Sequence, residues 1–478
     1  MKKVLTLCLM LLSGMAVFAA DIIGNWQGLI PVGDKKLRLV FHINKSANGF
    51  SSTFDSPDQN AFGINCNNTS FTNDSLLITI EAIKGGFKGK WNGADEIKGV
   101  FFQGAGNIDM TLFRITANES PKQPTVPNRP QTPKPPFQYD QEEVEYDNAD
   151  KTVHYGATLT KPRNLKSFPT VIIISGSGSQ DRDGTLFGHK LYAVLADYLT
   201  NQGIGVLRVD DRGMGKSSLG GDPKLLTSAD FSKDVETSFN YLLSRTDLDK
   251  KKIGLIGHSE GGIIAPMVAA RRKDISFIVL WAGPVEGGLQ TNVEQNEHSL
   301  LNAGVDSLSA KEFSKLHSSI LSHFADTKKE DLDTMVSLQF ASWKKGLSKE
   351  TVAALYVKES SVVGREIHTL YHSLYDLAWM RFFITYNPSQ DLAKVTCPVL
   401  AINGTKDTQV DAKKNLSIIK SVLSRSGNKH FQVTPLASLN HLFQTAKTGE
   451  LAEYATIEET ISPLALSLIA GWIKDEIK

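Results

Sequence analysis

The chain has 478 residues, with 52 Lys and Arg against 51 Asp and Glu and a formal net charge of +1. That length leaves room for about three units of ordinary domain size, and the balanced charge removes the electrostatic case for nucleic acid or an anionic membrane as a partner. With 3 cysteines and no Cys-x-x-Cys or zinc spacing, a disulfide framework is excluded and the fold must rest on its core.

At the N-terminus, Lys2 and Lys3 precede the apolar run Val4 to Leu12, and Val17-Phe18-Ala19 places small residues at minus three and minus one. The run is shorter than the roughly 20 residues that a membrane span needs. It reads as an export signal over residues 1–19, cut after Ala19, which implies a periplasmic or secreted protein with no integral membrane anchor. Cys8 lies inside the apolar run, so the mature chain keeps Cys66 and Cys397, in different predicted domains.

Residues 20–118 carry short alternating runs. Leu37, Leu39, Phe41 and Ile43 share one face, and further strands are predicted over Leu76–Ile80, Phe87–Trp91 and Met110–Ile115, separated by turn signals such as Asn73-Asp74 and Asn92-Gly93. The expectation is a small antiparallel β barrel or sandwich. Residues 119–137 hold Pro121, Pro124, Pro127, Pro130, Pro133, Pro135 and Pro136, a density that favours extended polyproline II and reads as a linker.

From 138 to 478 the pattern changes to continuous apolar runs alternating with helical patterns: Thr170–Ile174, Gly205–Val209, Ile253–Ile256, Phe277–Leu280 and Pro398–Ile402. Strands buried on both faces read this way, so a mostly parallel sheet covered by helices is predicted. The alternation stops between about 285 and 390, where Phe313, Leu316, Ile320 and Phe324 fall at helical spacing and further helical stretches run through Val352–Val357 and Ile367–Leu377. This reads as an inserted helical cap. Trp379, Phe382, Phe383 and Tyr386 within it either line a substrate pocket or pack the cap core.

The chemistry concentrates at Gly257-His258-Ser259-Glu260-Gly261, which follows an apolar strand and precedes a helical run. A serine at such a turn is strained, and its flanking positions must be small. The serine hydroxyl is a poor nucleophile without a histidine base and an orienting carboxylate. Asp407 lies on the loop after the strand Pro398–Ile402, and His441 follows the strand-like Phe431-Gln432-Val433. Ser259, Asp407 and His441 therefore stand in the order and setting of a catalytic triad, with Asp411 the next nearest acid and Asp376 a more distant one. For the oxyanion hole, the backbone N–H groups of Glu260 and Ser177 are predicted, Ser177 lying in the loop Ser175-Gly176-Ser177-Gly178-Ser179 with Gly178 as its neighbouring alternative.

With these motifs, together with Asp181-Arg182, Asp210-Asp211-Arg212-Gly213-Met214-Gly215 and Asn440-His441, the region from about Gln138 onward resembles serine α/β-hydrolases, similar to exported bacterial esterases with an N-terminal β domain. The resemblance implies an α/β-hydrolase fold and a structural role, without chemistry, for Asp211 and Arg212. His368 and His372 share a helical face, but the glutamate of a zinc-peptidase helix is missing and no third ligand is suggested. No metal and no cofactor is expected.

The function expected is a carboxylic ester hydrolase acting on a small-molecule ester. A serine peptidase on the same scaffold is the alternative. It is disfavoured because the linked domain is too short for a propeller that gates peptides, and no clear acidic pair presents itself to hold a peptide N-terminus. A glycan- or protein-binding module with an inert hydrolase domain is the third reading. Oligomeric state is left open.

Overall fold

The computed structural model describes residues 22–478 apart from 33–34, 47–48, 60, 81–82, 84, 104–105, 117–118, 120–127, 164, 303 and 350–361. The expected export signal, Pro121 to Pro127 of the proline-rich stretch and Val352–Val357 of the cap lie outside the described residues. The chain divides into two compact units, Met1–Val126 and Pro127–Lys478.

The first unit is one antiparallel sheet of nine strands: β1 Gly24–Val32, β2 Lys35–Ser46, β3 Gly49–Ser56, β4 Ala61–Asn65, β5 Asn68–Thr72, β6 Ser75–Ile80, β7 Gly85–Trp91, β8 Glu96–Gln103 and β9 Gly106–Ile115. Its order is β4-β3-β2-β1-β9-β8-β7-β6-β5, and it curls until Ser52 Oγ on β3 meets Thr69 Oγ1 on β5 at 2.6 Å. This all-β half-barrel follows from the alternation in the sequence: Leu39, Phe41 and Ile43 point into a core that also buries Trp26, Phe54, Phe87 and Phe101. Each such aromatic side chain is worth about 1.5–3 kcal/mol on burial.

The second unit is an α/β-hydrolase fold, built on an eight-stranded mixed sheet. Its strands are β10 Tyr139–Asp147, β11 His154–Pro162, β12 Thr170–Ile174, β13 Gly205–Val209, β14 Ile253–His258, β15 Ile278–Trp281, β16 Val399–Gly404 and β17 Phe431–Leu436, in the order β10-β11-β13-β12-β14-β15-β16-β17. β10 and β11 are antiparallel to their neighbours, and the other strands are parallel. Crossover helices α1 Leu191–Asn201, α2 Ser228–Ser244 and α3 Gly261–Arg271 connect β12 through β15. Strand order reverses at β12, so the crevice beyond its carboxyl end is the topological switch point where ligands bind in such sheets.

Between β15 and β16 the chain runs through α4 Gly288–Asn302, α5 Ser307–Ser322, α6 Leu332–Lys345, α7 Val362–Asp376, α8 Ala378–Thr385 and α9 Pro388–Leu392. Leu316, Ile320, Phe324, Val336 and Tyr371 form a core of their own within this insertion, because the helical stripe read from the sequence needs an apolar partner. The chain then closes with α10 Ala412–Arg425 between β16 and β17, a short α11 Leu451–Tyr454 and α12 Pro463–Glu476. One apolar cluster fills the sheet face under α1 and α12, and another the face under α2, α3 and α10. The whole array presents its parallel-strand carboxyl ends, residues 174, 209, 258, 404 and 436, along one edge.

At the start of this unit, Arg129 is buried, and its guanidinium donates to the carbonyls of Phe187 and Ala455 at 2.8 Å and to that of Ile457. Gln131 Oε1 accepts from the Ile461 amide at 3.0 Å and its Nε2 donates to the Ile461 carbonyl at 2.7 Å.

Candidate active site

β14 ends at His258, and the chain turns through Ser259 into α3. Ser259 has φ 53, a left-handed conformation that costs a β-carbon-bearing residue about 1–3 kcal/mol unless its surroundings hold it. They do: the Ser259 amide donates to the Trp281 carbonyl at 2.8 Å, and its carbonyl accepts from the Gly262 amide at 2.8 Å. The flanking glycines are required by contact. A β-carbon on Gly257 would run into the Gly261 carbonyl, and one on Gly261 into the Ile174 carbonyl.

Asp407 and His441 come together on the loops after β16 and β17. His441 Nδ1 lies 2.7 Å from Asp407 Oδ2, and both side chains are almost fully buried. The other carboxylate oxygen accepts from the amides of Gln409 at 2.8 Å and Val410 at 2.9 Å, which fixes the carboxylate against the ring. The two other acids considered lie elsewhere. Asp411 caps α10 by accepting from the Lys414 amide, and Asp376 pairs with Lys329. Ser259 and His441 line one cleft of about 380 Å³ together with Ser177, Glu260 and Phe383. Ser259 Oγ makes no hydrogen bond to another described residue, so the hydroxyl faces the cleft uncommitted.

The loop 175–180 crosses above Ser259 closely enough that a β-carbon on Gly176 would stand 3.1 Å from Ser259 Cβ. Asp211 staples this loop, accepting from Ser175 Oγ at 2.6 Å and the Gln180 amide at 2.8 Å. Among the described residues, neither the Ser177 amide nor the Glu260 amide has a protein acceptor, and both residues border the cleft.

Three residues at the site were not singled out for chemistry by sequence reasoning. His258 Nε2 lies 3.2 Å from the His441 carbonyl. A carbonyl only accepts, so this nitrogen carries the proton, and Nδ1 faces the Tyr192 hydroxyl at 3.3 Å, whose own proton goes to Gln180 Oε1 at 3.0 Å. That hydroxyl in turn accepts from the Gly176 amide at 3.1 Å. Burial, and then the neighbouring His441, push His258 down to about 3, so it is a neutral strut between the loop carrying His441 and the loop carrying Ser177. The third is the Glu260 side chain. It accepts from Ser228 Oγ on α2 at 2.6 Å and from Trp379 Nε1 on α8 at 2.7 Å. Burial raises its pKa.

Burial, reinforced by the negative charges of Glu260 and Asp234, pushes Asp211 up to about 7. Arg212 makes a two-pronged ion pair with Asp234 at 2.6 and 2.7 Å. Of the four cap aromatics, Trp379 and Phe383 border the cleft, whereas Phe382 stacks on Tyr386, whose hydroxyl donates to Asp391. His368 and His372 both turn to one oxygen of Asp333 at 2.8 Å. Among the described residues no group of three or more His, Cys, Asp or Glu stands in a metal-binding arrangement, and no helix is long and apolar enough to cross a membrane.

The chain is similar in sequence to known hydrolases. Over 152 residues the chain is 29% identical to "Esterase EstD" of Thermotoga maritima, a match covering 29% of this chain and 36% of that protein, so the chain spans little more than a third of the curated relative's length. Among solved structures it resembles the Pyrococcus furiosus esterase Pf2001, with TM-score 0.41 and 14% identity over 74% of this chain and 99% of the other. It also resembles Est1E from Butyrivibrio proteoclasticus, with TM-score 0.38 and 14% identity over 70% of this chain and 98% of the other. Residues 188–443, more than half of the chain and the span that contains Ser259, Asp407 and His441, match the family described as Hydrolase_4, serine aminopeptidase, S33. The chain belongs to that family, within the serine α/β-hydrolase superfamily.

Proposed function

We propose that this protein is an exported carboxylesterase that works through an acyl-enzyme on Ser259. The observation that carries the reading is the strained Ser259 turn opening into the same cleft as His441, whose Nδ1 is fixed by Asp407. In the proposed reaction Ser259 Oγ attacks the ester carbonyl while its proton passes to His441 Nε2. The developing oxyanion lies at the Ser177 and Glu260 amides. The C–O bond to the alcohol then breaks as His441 returns the proton to the leaving oxygen, and Asp407 stabilises the imidazolium in between. Water, deprotonated by His441, attacks the acyl carbon. Release of the acid restores the Ser259 hydroxyl, and no cofactor enters any step.

Ester in preference to amide is supported by the esterase name of the Thermotoga relative. It is also supported by the carboxylates beside Ser259, which already have protein partners: Glu260 is held by Ser228 and Trp379, and Asp407 by His441 and two amides. A peptidase reading is favoured by the family's description. Comparing an acyl p-nitrophenyl ester with an aminoacyl p-nitroanilide under identical conditions separates the two. For the mechanism, Ser259→Ala is expected to lose at least 1000-fold in kcat/KM and all labelling by a fluorophosphonate probe. Full activity in that variant would sink the proposal, and an unlabelled wild-type protein would favour the inert binding module. Export is supported by Lys2, Lys3 and the following apolar run, and is tested by the mass of the mature N-terminus, expected to begin at Ala20.

A further inference from the structure

A second cavity, of about 320 Å³, adjoins the Ser259 cleft and is not lined by His441. We propose that it is the acyl pocket and that it selects an uncharged acyl chain of medium length, roughly eight to twelve carbons; this rests on the serine-hydrolase reading above. Ile174, Leu226, Phe231, Val235, Ile264 and Leu377 contribute its apolar wall, and Asp210, Asp211, Arg212 and Asp234 border the rest. The two spaces share Gly176, Glu260 and Trp379; Glu260 carries one of the two proposed oxyanion donors, and Gly176 precedes the residue that carries the other.

The assignment to the acyl side follows from where the proton must go. His441 has to reach the leaving oxygen, so the alcohol lies in the cleft that His441 lines. The acyl substituent leaves the carbonyl carbon in another direction, and His441 does not line the second cavity. Its chemistry follows from what faces it. Asp234 is taken up by Arg212 and the Tyr155 hydroxyl, Asp210 by Arg182, and Asp211 by Ser175 and the Gln180 amide. The cavity therefore offers an apolar surface and no uncommitted charge for a ligand amine or carboxylate, and an ion buried there would be unpaired. Size sets the length: an apolar cavity of ~150 Å³ accommodates a benzene molecule, so this one takes about twice as many carbons.

The test is a series of p-nitrophenyl esters from acetate to hexadecanoate, hydrolysed by the full-length mature protein. The wild-type kcat/KM is expected to climb with chain length, by up to about fourfold per added methylene, and to level off or fall beyond roughly twelve carbons. Leu226→Trp, at a half-exposed wall position, and Val235→Phe are expected to keep acetate hydrolysis within about twofold while cutting decanoate hydrolysis at least tenfold. A wild-type profile that is flat or favours acetate overturns the proposal. So does a filled variant that handles decanoate like the wild type. A structure of the wild-type adduct with an octyl phosphonate does not depend on how the variants fold. Its alkyl chain is expected between Phe231 and Ile264, and a chain beside Phe187 in the His441 cleft overturns the assignment. Absence of both acetate hydrolysis and probe labelling marks failure of the serine-hydrolase reading itself, whereas retained acetate hydrolysis with an unchanged length profile marks failure of the acyl pocket alone.

Discussion

Ser259 is held in a left-handed conformation by contacts that leave no room for a β-carbon on either flanking glycine. Gly257→Ala would press a methyl group on the Gly261 carbonyl, an immovable backbone atom at the start of α3. The expected result is a loss of at least 100-fold in ester kcat/KM and a lower thermal midpoint. A variant that kept half of the wild-type kcat/KM would show that the turn relaxes freely. At this scale Ser259, Asp407 and His441 were legible in the sequence because each follows an apolar strand run in an order that few other folds impose. His258 was not, since the position before the serine is unrestricted in the motif and its partners, Tyr192 and the His441 carbonyl, converge only in three dimensions. Asp211 was read as structural, and it does staple a loop. That it lies buried near Glu260 depends on the approach of α3 to β13, which no local pattern encodes.

Among the elements, continuous apolar runs revealed β12 through β16, whereas β10 went unread because its sequence, YDQEEVEYD, offers little apolar periodicity. The reason is positional. β10 is an edge strand, and acidic residues there block pairing with other chains while Glu142 binds Arg245 and Lys161 and Glu145 binds Lys216. The same holds for residues 128–137, whose proline content signals an extended chain but says nothing about Arg129 and Gln131, which tie it to the 455–461 loop. Two truncations follow from this. Compared with a fragment beginning at Pro127, which keeps these ties, one beginning at Gln138 strands several carbonyl and amide groups, each at about 1–3 kcal/mol where buried, and is expected to melt several degrees lower. Equal midpoints by calorimetry would contradict the structural role of this segment.

For the molecule as a whole, acid stability turns on buried histidines. Burial pushes His189 down to about 4 and His317 down to about 4, alongside His258 at about 3. These groups stay neutral when folded but bind a proton near pH 6.5 when unfolded. Their contribution is complete above pH 6.5 and is lost as pH falls toward 4. Asp211, raised to about 7, works the other way, because the cost of ionising it in the folded state disappears as pH drops below 7. Burial raises Glu260 and Glu286 as well, in the same sense as Asp211, so two opposing sets of groups share the range between pH 7 and pH 5. His317→Gln, which replaces a ring bonded to Tyr371 and Asn292, removes one group that binds a proton only when unfolded, so its midpoint is expected to rise relative to that of the wild type as the pH drops from 7 to 5. Parallel slopes for variant and wild type would remove His317 from the account.

The bond from the Trp379 indole to Glu260 has one more consequence. It places one of the 6 tryptophans on the wall common to both cavities, with its ring nitrogen on a buried carboxyl group. Indole emission shifts with local polarity, so the protein carries a built-in optical probe at this wall. Subtracting the spectrum of Trp379→Phe isolates that signal, and ligand entry on either side can be followed by fluorescence without an attached dye.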